Sequence, residues 1–203
     1  SRYGDGVIAS SACLGGVYAG DYWDNRDSGE LAEDAILNAM RKTTERMQSI
    51  FGDRWYGELQ WNNIPEQHEL NKYIIQVCNE YNVDLVSTAD SHYPNPDAWK
   101  DRELYKRIGW LGKGGLPSYM SEELPSGVEE IGYELYPKNG AQMWESYQKY
   151  SELVGATYDD KLVRDSIERT HDIAHERIES FMPDDTVRLP RFVVPEGKTD
   201  IHA

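Results

Sequence analysis

Residues 83–93 read Val-Asp-Leu-Val-Ser-Thr-Ala-Asp-Ser-His-Tyr, an apolar run that ends in an Asp-x-His pair. The run predicts a buried β-strand, and a strand delivers the residues that follow it to the edge of a sheet. In extended backbone Asp90 and His92 project from the same side, because side chains alternate along a strand. A carboxylate oxygen and an imidazole nitrogen together suit Zn²⁺, Mn²⁺ or Fe²⁺ better than Ca²⁺. The pattern alone also fits a loop in which the aspartate caps a turn and the histidine is exposed.

The surrounding sequence alternates strand and helix signals. Three short runs predict strands, at Val7–Ser11, Trp55–Gln60 and Asp84–Thr88. A stretch with helical spacing lies before the second strand, at 30–50, and another before the third, around 70–81. Residues 17–29, which mix polar and aromatic side chains, are predicted to form a loop. This alternation predicts an α/β fold with a parallel sheet or barrel.

Polar side chains collect where the predicted strands end, which is where parallel α/β folds place their chemistry. Cys13 follows the first strand, Glu58 and Gln60 lie on one side of the second, and Asp90 and His92 follow the third. Glu58 and Gln60 could orient metal ligands or contact substrate, or form the polar face of an ordinary strand. Cys13 could be a ligand, or a small buried residue at a strand end.

The second part of the chain lacks strand alternation. Residues 109–132 are rich in Gly, Pro and Ser and predict a linker between a first part, 1–108, and a mainly helical segment, 133–203. In that segment we expect a short helix near 142–150, a long helix over 159–179 and an extended stretch at 189–197. His171 and His175 have the i, i+4 spacing of a zinc protease motif, with Asp172 in place of the usual glutamate. The shorter Asp172 side chain would misplace the base, which argues against a protease. An apolar stripe runs beside the two histidines, so we interpret them as flanking a packed face and facing solvent; it consists of Val163, Ile167, Thr170 and Ala174.

The composition describes an acidic protein of 203 residues, with 36 acidic and 21 basic residues and a net charge of −15. Such a surface repels a phosphate backbone, so we expect no broad duplex-DNA interface on this chain. No apolar run approaches the roughly 18–20 residues of a membrane span, and we expect no membrane contact. Two cysteines cannot form a disulfide framework, which predicts a reducing, cytoplasmic location. Both ends of the sequence look cut from a longer chain.

Three segments, 8–16, 51–60 and 85–93, resemble in this order the later part of the PHP (polymerase and histidinol phosphatase) domain of bacterial-type replicative DNA polymerases. Three further segments, 136–143, 164–174 and 189–199, resemble the stretch that leads into the polymerase core of the same family, the alpha subunit of DNA polymerase III. The resemblance implies a distorted seven-stranded β/α barrel, of which this chain would hold the last three strands.

The same resemblance implies a site and an activity. Cys13, Asp90 and His92 match metal ligands of a cluster of divalent ions (Zn, Mn or Mg) associated with 3′→5′ proofreading exonuclease activity. The other ligands of the family precede the position of Ser1, so we expect the cluster to be completed by the upstream half of the domain and the isolated chain to be inactive. The implied partners are that upstream half, the 3′ end of DNA and other replisome proteins, in a bacterium or phage.

Two alternatives stay open at this stage. One is a stand-alone PHP phosphoesterase that acts on a small phosphate monoester, although the 189–197 segment has no obvious use there. The other is a PHP domain whose site has decayed and which serves as a scaffold for the polymerase. The presence of Cys13, Asp90 and His92 argues against decay.

Overall fold

The structure is a computed structural model in which residues 4–118, 120, 121, 123–179, 182, 185 and 186 are described. Its strands and main helices are β1 (Ala9–Ser10), α1 (Val17–Asn25), α2 (Ala32–Phe51), β2 (Trp55–Gln60), α3 (Pro65–Tyr81), β3 (Leu85–Thr88), α4 (Trp99–Leu111), α5 (Val128–Ile131), α6 (Gly140–Val154) and α7 (Asp160–Asp172). Short 3-10 turns lie at Gly29–Leu31, Gly52–Arg54 and Pro96–Ala98, and a π-helical turn at Ile173–Arg177 continues α7.

The three strands form one parallel sheet in the order β1-β2-β3. Ala9 is paired with Trp55, and Gly57 is paired with Leu85. The predicted α/β class and the three predicted strands are thereby confirmed, although β1 is shorter than the predicted Val7–Ser11 strand. The complete seven-stranded barrel stays a prediction from the resemblance.

Helix α3 packs directly onto the central strand. All six residues of β2 are buried, and a Cβ atom built on Gly57 would lie 2.4 Å from Cys78 Sγ. A side chain at position 57 would therefore push the helix away from the sheet. Proline at the start of α3 and Asn82 in the left-handed conformation after its end set the bounds of this helix.

The prediction that residues 17–29 form a loop is wrong, because Val17–Asn25 is helix α1. Tyr18 and Tyr22 lie four residues apart and are both fully buried. Their hydroxyl groups reach polar partners, since the Tyr18 hydroxyl contacts Thr44 Oγ1 at 2.7 Å and the Tyr22 hydroxyl donates to Glu69 at 2.6 Å. Tertiary partners thus make these tyrosines behave as core residues, which the local sequence does not indicate.

Helices α6 and α7 share the main core with the sheet. Met143, Tyr147 and Val163 belong to the same buried cluster as Leu59 and Ile74. The hydroxyl groups of Ser87 on β3 and Ser166 on α7 are 2.7 Å apart, which joins α7 to the edge strand. The predicted linker, 109–132, contains the end of α4 and all of α5, and the predicted domain division stays a prediction.

The predictions for the second part of the chain are confirmed in part. Helices α6 and α7 confirm the two helices predicted near 142–150 and over 159–179, although α7 ends earlier, at Asp172. The predicted extended stretch at 189–197 lies outside the described residues. None of the helices in the described ranges has both the length and the apolar character that a membrane span requires.

Candidate functional site

The loop after β1 holds Cys13 in a tight turn. Ala12 has a φ of +60°, in the left-handed region that few non-glycine residues adopt. The Gly16 amide donates to the Cys13 carbonyl at 2.8 Å, and a Cβ atom on Gly16 would lie 2.0 Å from the Ser11 carbonyl oxygen. The glycine therefore allows the chain to turn directly into α1 and leaves the Cys13 thiol partly exposed at the strand end.

The two cysteines lie in opposite environments. Cys78 is fully buried in the core between α3 and the sheet. Burial raises the pKa of its thiol to about 12, so this group stays protonated and inert. Cys13 is partly exposed and is the accessible thiol of the two.

The loop after β3 presents Asp90 and His92 differently from the prediction. The strand ends at Thr88, and Asp90 has a φ of +47°, so the pair does not project from one side of an extended strand. A left-handed residue turns the chain back, and His92 Nδ1 comes within 2.6 Å of the Asp90 carbonyl oxygen. The same nitrogen is 4.0 Å from the Asp90 carboxylate. The turn, and not strand geometry, brings the two side chains together.

This contact assigns the tautomer of His92. A backbone carbonyl oxygen can only accept a hydrogen bond, so Nδ1 must carry the proton. In the neutral imidazole, Nε2 is then the nitrogen with a free lone pair. That is the arrangement in which a histidine can ligate a metal ion through Nε2.

Residues 131–136 fasten the Asp-x-His turn to the end of β2. The backbone amides of His92 and Tyr93 both donate to the Leu135 carbonyl, at 2.7 and 3.2 Å. The Tyr93 hydroxyl accepts from the Leu135 amide at 2.8 Å, and the Asn63 amide donates to the Gly132 carbonyl at 2.6 Å. Tyr93 and Leu135 also form the centre of a second small hydrophobic cluster. A distant segment therefore holds the candidate ligands in place.

Glu58 and Gln60 lie on one side of β2, as predicted. The Glu58 carboxylate accepts hydrogen bonds from Gln60 Nε2 at 2.9 Å, from Thr88 Oγ1 at 2.5 Å and from the Ser10 hydroxyl. One buried carboxylate thus links all three strands near their carboxyl ends. Glu58 therefore helps to hold the three strands together. Its predicted role in orienting metal ligands or contacting substrate stays a prediction.

The predicted residues converge on one cavity of about 220 Å³, which we call the strand-end cavity. Cys13, Gln60, Asp90 and His92 all line it, whereas Glu58 lies outside its lining. Arg102 from α4 and Tyr133 from the fastening segment also line this cavity. Arg102 brings a positive charge to the same space as the thiol, the carboxylate and the imidazole.

The donor types in the strand-end cavity fit a borderline divalent cation. A thiol, a carboxylate and an imidazole with a free Nε2 are the ligands that Zn²⁺ accepts. The residues that the structure describes include no group of three or more His, Cys, Asp or Glu side chains close enough to hold a metal ion. A cation bound here would therefore need further donors, as the resemblance implies, and the metal site stays a prediction.

Sequence reasoning missed Arg102 and Tyr133. Neither residue stands at a strand end or in a spacing that indicates ligand binding. Arg102 lies over the Tyr133 ring, with its guanidinium carbon 5.3 Å from the ring centroid, and it donates to the Tyr133 hydroxyl at 3.3 Å. Only the packing of α4 against the 131–136 segment shows that the two residues belong to the site.

His171 and His175 are both exposed, which confirms that they face solvent. Their ring centroids are 4.1 Å apart at the junction of α7 and the π-helical turn. Within the described ranges no third His, Cys, Asp or Glu completes a metal-binding group with them. The structure gives the protease interpretation no support.

The fold and the strand-end cavity define a parallel α/β protein with a polar candidate site at the carboxyl ends of its strands. No protein-family model matches the chain. Curated relatives do match it, and those found are DNA polymerase III alpha subunits of bacteria.

Three of these relatives show the extent of the similarity. The subunit of Aquifex aeolicus is 40% identical over 99 residues, which cover 47% of this chain and 7% of the relative. The subunit of Borreliella burgdorferi is 31% identical over 156 residues, which cover 77% of this chain and 12% of the relative. The subunit of Thermus aquaticus is 27% identical over 202 residues, which cover 98% of this chain and 14% of the relative.

These matches confirm the resemblance predicted from the motifs: the chain is similar to part of the DNA polymerase III alpha subunit. It spans about 7 to 14% of the length of the three relatives.

Proposed function

We propose that this chain forms part of a PHP-type, metal-dependent phosphoesterase site within a replicative DNA polymerase, with 3′→5′ exonuclease proofreading as its reaction. The main support for this proposal is that the three residues predicted as ligands from the sequence, Cys13, Asp90 and His92, line one cavity in the structure. The polymerase context is supported by the relatives, which are DNA polymerase III alpha subunits. It favours the polymerase over a stand-alone phosphoesterase.

The residues of this chain supply distinct parts of such a site. The Cys13 thiolate would be a soft ligand, the Asp90 carboxylate a hard one, and His92 would bind through Nε2 because Nδ1 donates to the Asp90 carbonyl. Bound cations would lower the pKa of a water molecule and neutralise charge on the phosphoryl group. Gln60, held by Glu58, would keep the wall of the cavity next to the ligands rigid.

The activity of the whole polymerase belongs to the same proposal. We infer that the complete protein synthesises DNA, contacts the 3′ end of DNA and other replisome proteins, and works in the cytoplasm. The remaining metal ligands would come from the upstream half of the PHP domain, so the isolated chain would be inactive. The cations would be Zn, Mn or Mg.

The test uses the polymerase in which this chain is joined to the rest of its PHP domain. Release of nucleotides from a labelled single-stranded 3′ end should require divalent metal and should fall by at least about 100-fold in Asp90→Asn, since loss of even an outer-shell partner of a metal ligand typically costs about 10- to 100-fold. Asp97→Asn is the matched control, because Asp97 is an exposed carboxylate in the next turn and does not line the strand-end cavity.

Two results would refute the proposal. One is nuclease activity that survives both chelation and Asp90→Asn. The other is an equal loss of activity in Asp97→Asn, which would mean that the effect is not specific to the strand-end cavity.

A further inference from the structure

A second cavity, of about 480 Å³, lies between α4 and the segment that follows it, and we call it the α4 cavity. Its wall on the helix side consists of Glu103, Lys106 and Arg107, and Tyr133 closes one side. None of these residues belongs to a motif that the sequence analysis identified. The cavity is large enough for a nucleotide unit, since ligand pockets of this class start at about 300 Å³.

Three basic side chains surround one buried carboxylate at this wall. Glu103 Oε1 is 2.9 Å from Lys106 Nζ and 3.2 Å from Arg102, and Glu103 Oε2 is 3.1 Å from Arg107. Burial opposes ionisation of Glu103, but Lys106 and Arg107 outweigh it and hold the pKa of the carboxyl below its ordinary value. The ionised carboxylate neutralises one of the three cations, so positive charge remains beside the cavity.

Arg107 adds an unsatisfied donor. The residue is only 6% exposed, and its two terminal nitrogens donate to the Glu103 side chain and to the Glu123 carbonyl. Its Nε has no hydrogen-bond partner within the part of the chain that the structure describes. A buried N–H of a charged group without an acceptor is costly, and Arg107 is held at the cavity wall by the contacts of its two terminal nitrogens.

Two carboxylates at the rim must be set against this positive charge. Glu130 accepts hydrogen bonds from the amide and hydroxyl of Ser126, so its carboxylate is engaged within its own turn. The Glu123 side chain is exposed and thus screened by water. The α4 side of the cavity, with Lys106 and Arg107 against Glu103, thus carries a net charge of +1 in a chain whose net charge is −15.

The α4 cavity adjoins the strand-end cavity. Tyr133 lines both of them, and its hydroxyl accepts from Lys106 at 3.1 Å and from Arg102 at 3.3 Å. Arg102 in turn lines the strand-end cavity beside Asp90 and His92. A row of cations thus leads from one cavity to the other, with an aromatic ring between them.

We propose that the α4 cavity binds a phosphodiester of single-stranded DNA, through Lys106 and Arg107, and leads the 3′ end toward the strand-end cavity. A single strand fits because one pair of neighbouring cations can bind one backbone phosphate, whereas a duplex needs a broad basic face that this acidic chain lacks. The direction of the strand rests on the proposed function, whereas the binding of DNA does not.

The test measures binding of a short fluorescein-labelled oligothymidylate to the 203-residue chain by fluorescence anisotropy, with chelator present, over a series of salt concentrations. Lys106→Gln should weaken binding about tenfold, as expected for the loss of one charge-assisted contact. It should also lower the salt slope by about 0.7, the value for one phosphate contact on a single strand.

Lys100→Gln is the matched control, because it removes the same charge from an exposed position of α4 that does not line the cavity. Arg107→Lys is a second variant that keeps the charge but loses the guanidinium geometry, and it should weaken binding while the circular dichroism spectrum is unchanged. Equal effects of Lys106→Gln and Lys100→Gln, or no measurable binding by the unmodified chain, would overturn the proposal.

The experiments distinguish a failure of the proposed metal-dependent nuclease site from a failure of the proposed DNA-binding cavity. Chelator is present throughout, so loss of the metal site has no effect on the binding measurement. If Asp90→Asn leaves nuclease activity intact but Lys106→Gln still weakens binding, the catalytic proposal fails and the DNA-binding cavity stands.

Discussion

His68 shows how strongly burial changes the properties of a single residue in this protein. It is only 2% exposed and lies beside the rings of Trp61 and Tyr158. Its Nε2 is 2.8 Å from the Asn62 carbonyl oxygen, and its Nδ1 is 2.9 Å from the Tyr158 hydroxyl. Because a carbonyl oxygen only accepts, Nε2 carries the proton of the neutral ring. His68 thus holds the backbone at Asn62, just after β2, in place.

Burial also makes His68 sensitive to pH. Loss of hydration, opposed in part by the hydrogen bond to Asn62, lowers the pKa of His68 below its ordinary value of 6.5. The unfolded state then binds a proton more readily than the folded state. The stability that the neutral ring provides is therefore complete above pH 6.5 and is lost as pH falls through that value toward the lower pKa of the folded state.

We expect His68→Gln to cost about 1 kcal/mol at neutral pH, because one buried hydrogen bond is lost. The difference in unfolding free energy between the unmodified chain and this variant should shrink from about pH 7.5 to about pH 5.5, as measured by urea unfolding. His171→Gln, which removes an exposed imidazole, is the control and should change the unfolding free energy at neutral pH by no more than about 0.5 kcal/mol. A difference for His68→Gln that stays constant over this pH range would contradict the inferred shift.

At the scale of elements, the short turn from β1 into α1 determines where Cys13 lies. The amide of Gly16 bonds to the Cys13 carbonyl, and a Cβ atom on Gly16 would come within 2.0 Å of the Ser11 carbonyl oxygen. The obstacle is backbone, which cannot move without displacing the strand. Gly20, one turn further along α1, has no atom within 4 Å of the corresponding position.

These two glycines form a matched pair for mutation. Gly16→Ala should destabilise the protein by roughly 1–3 kcal/mol, because the added methyl group overlaps backbone atoms. Gly20→Ala should stabilise it by about 0.5–1 kcal/mol, because alanine loses less entropy in a helix. Urea unfolding of both variants measures the contrast, and a Gly16→Ala protein as stable as the unmodified chain would show that the turn can relax.

At the scale of the whole molecule, the sheet and the last helices share one core. Val163 of α7 is fully buried in the cluster that also contains Leu59 and Ile74. Trp61, at the end of β2, packs edge-on against Tyr147 of α6, with ring centroids 4.9 Å apart. A core that crosses these elements predicts cooperative unfolding of the sheet and of α6 and α7.

Val163→Ala should therefore lower the unfolding free energy by about 2 kcal/mol, from the lost methyl groups and the space they leave. The transitions followed by tryptophan fluorescence and by far-ultraviolet circular dichroism should remain coincident and shift together. Leu153→Ala, at a site in α6 that is 61% exposed, should change the stability by no more than about 0.5 kcal/mol. Separate transitions in the two signals would show that the helical segment folds by itself.

The sequence by itself determined the elements whose pattern is local. Apolar runs gave β2 and β3, helical spacing gave α2 and α3, and the order of these elements gave the parallel sheet. It also predicted that Cys13, Asp90 and His92 would lie near one another, because the carboxyl ends of parallel strands meet at one edge of a sheet, and the three residues do line one cavity. The similarity to the polymerase relatives was likewise predictable, since short motifs carried it.

Tertiary structure decided the features that depend on distant partners. Helix α1 is stabilised because the hydroxyl groups of Tyr18 and Tyr22 form hydrogen bonds with residues of α2 and α3. The left-handed turn at Asp90 is stabilised by hydrogen bonds from its loop to the 131–136 segment. Arg102 reaches the strand-end cavity only because α4 packs against Tyr133. Each of these contacts joins residues far apart in the chain, so its free energy is absent from any local window of sequence.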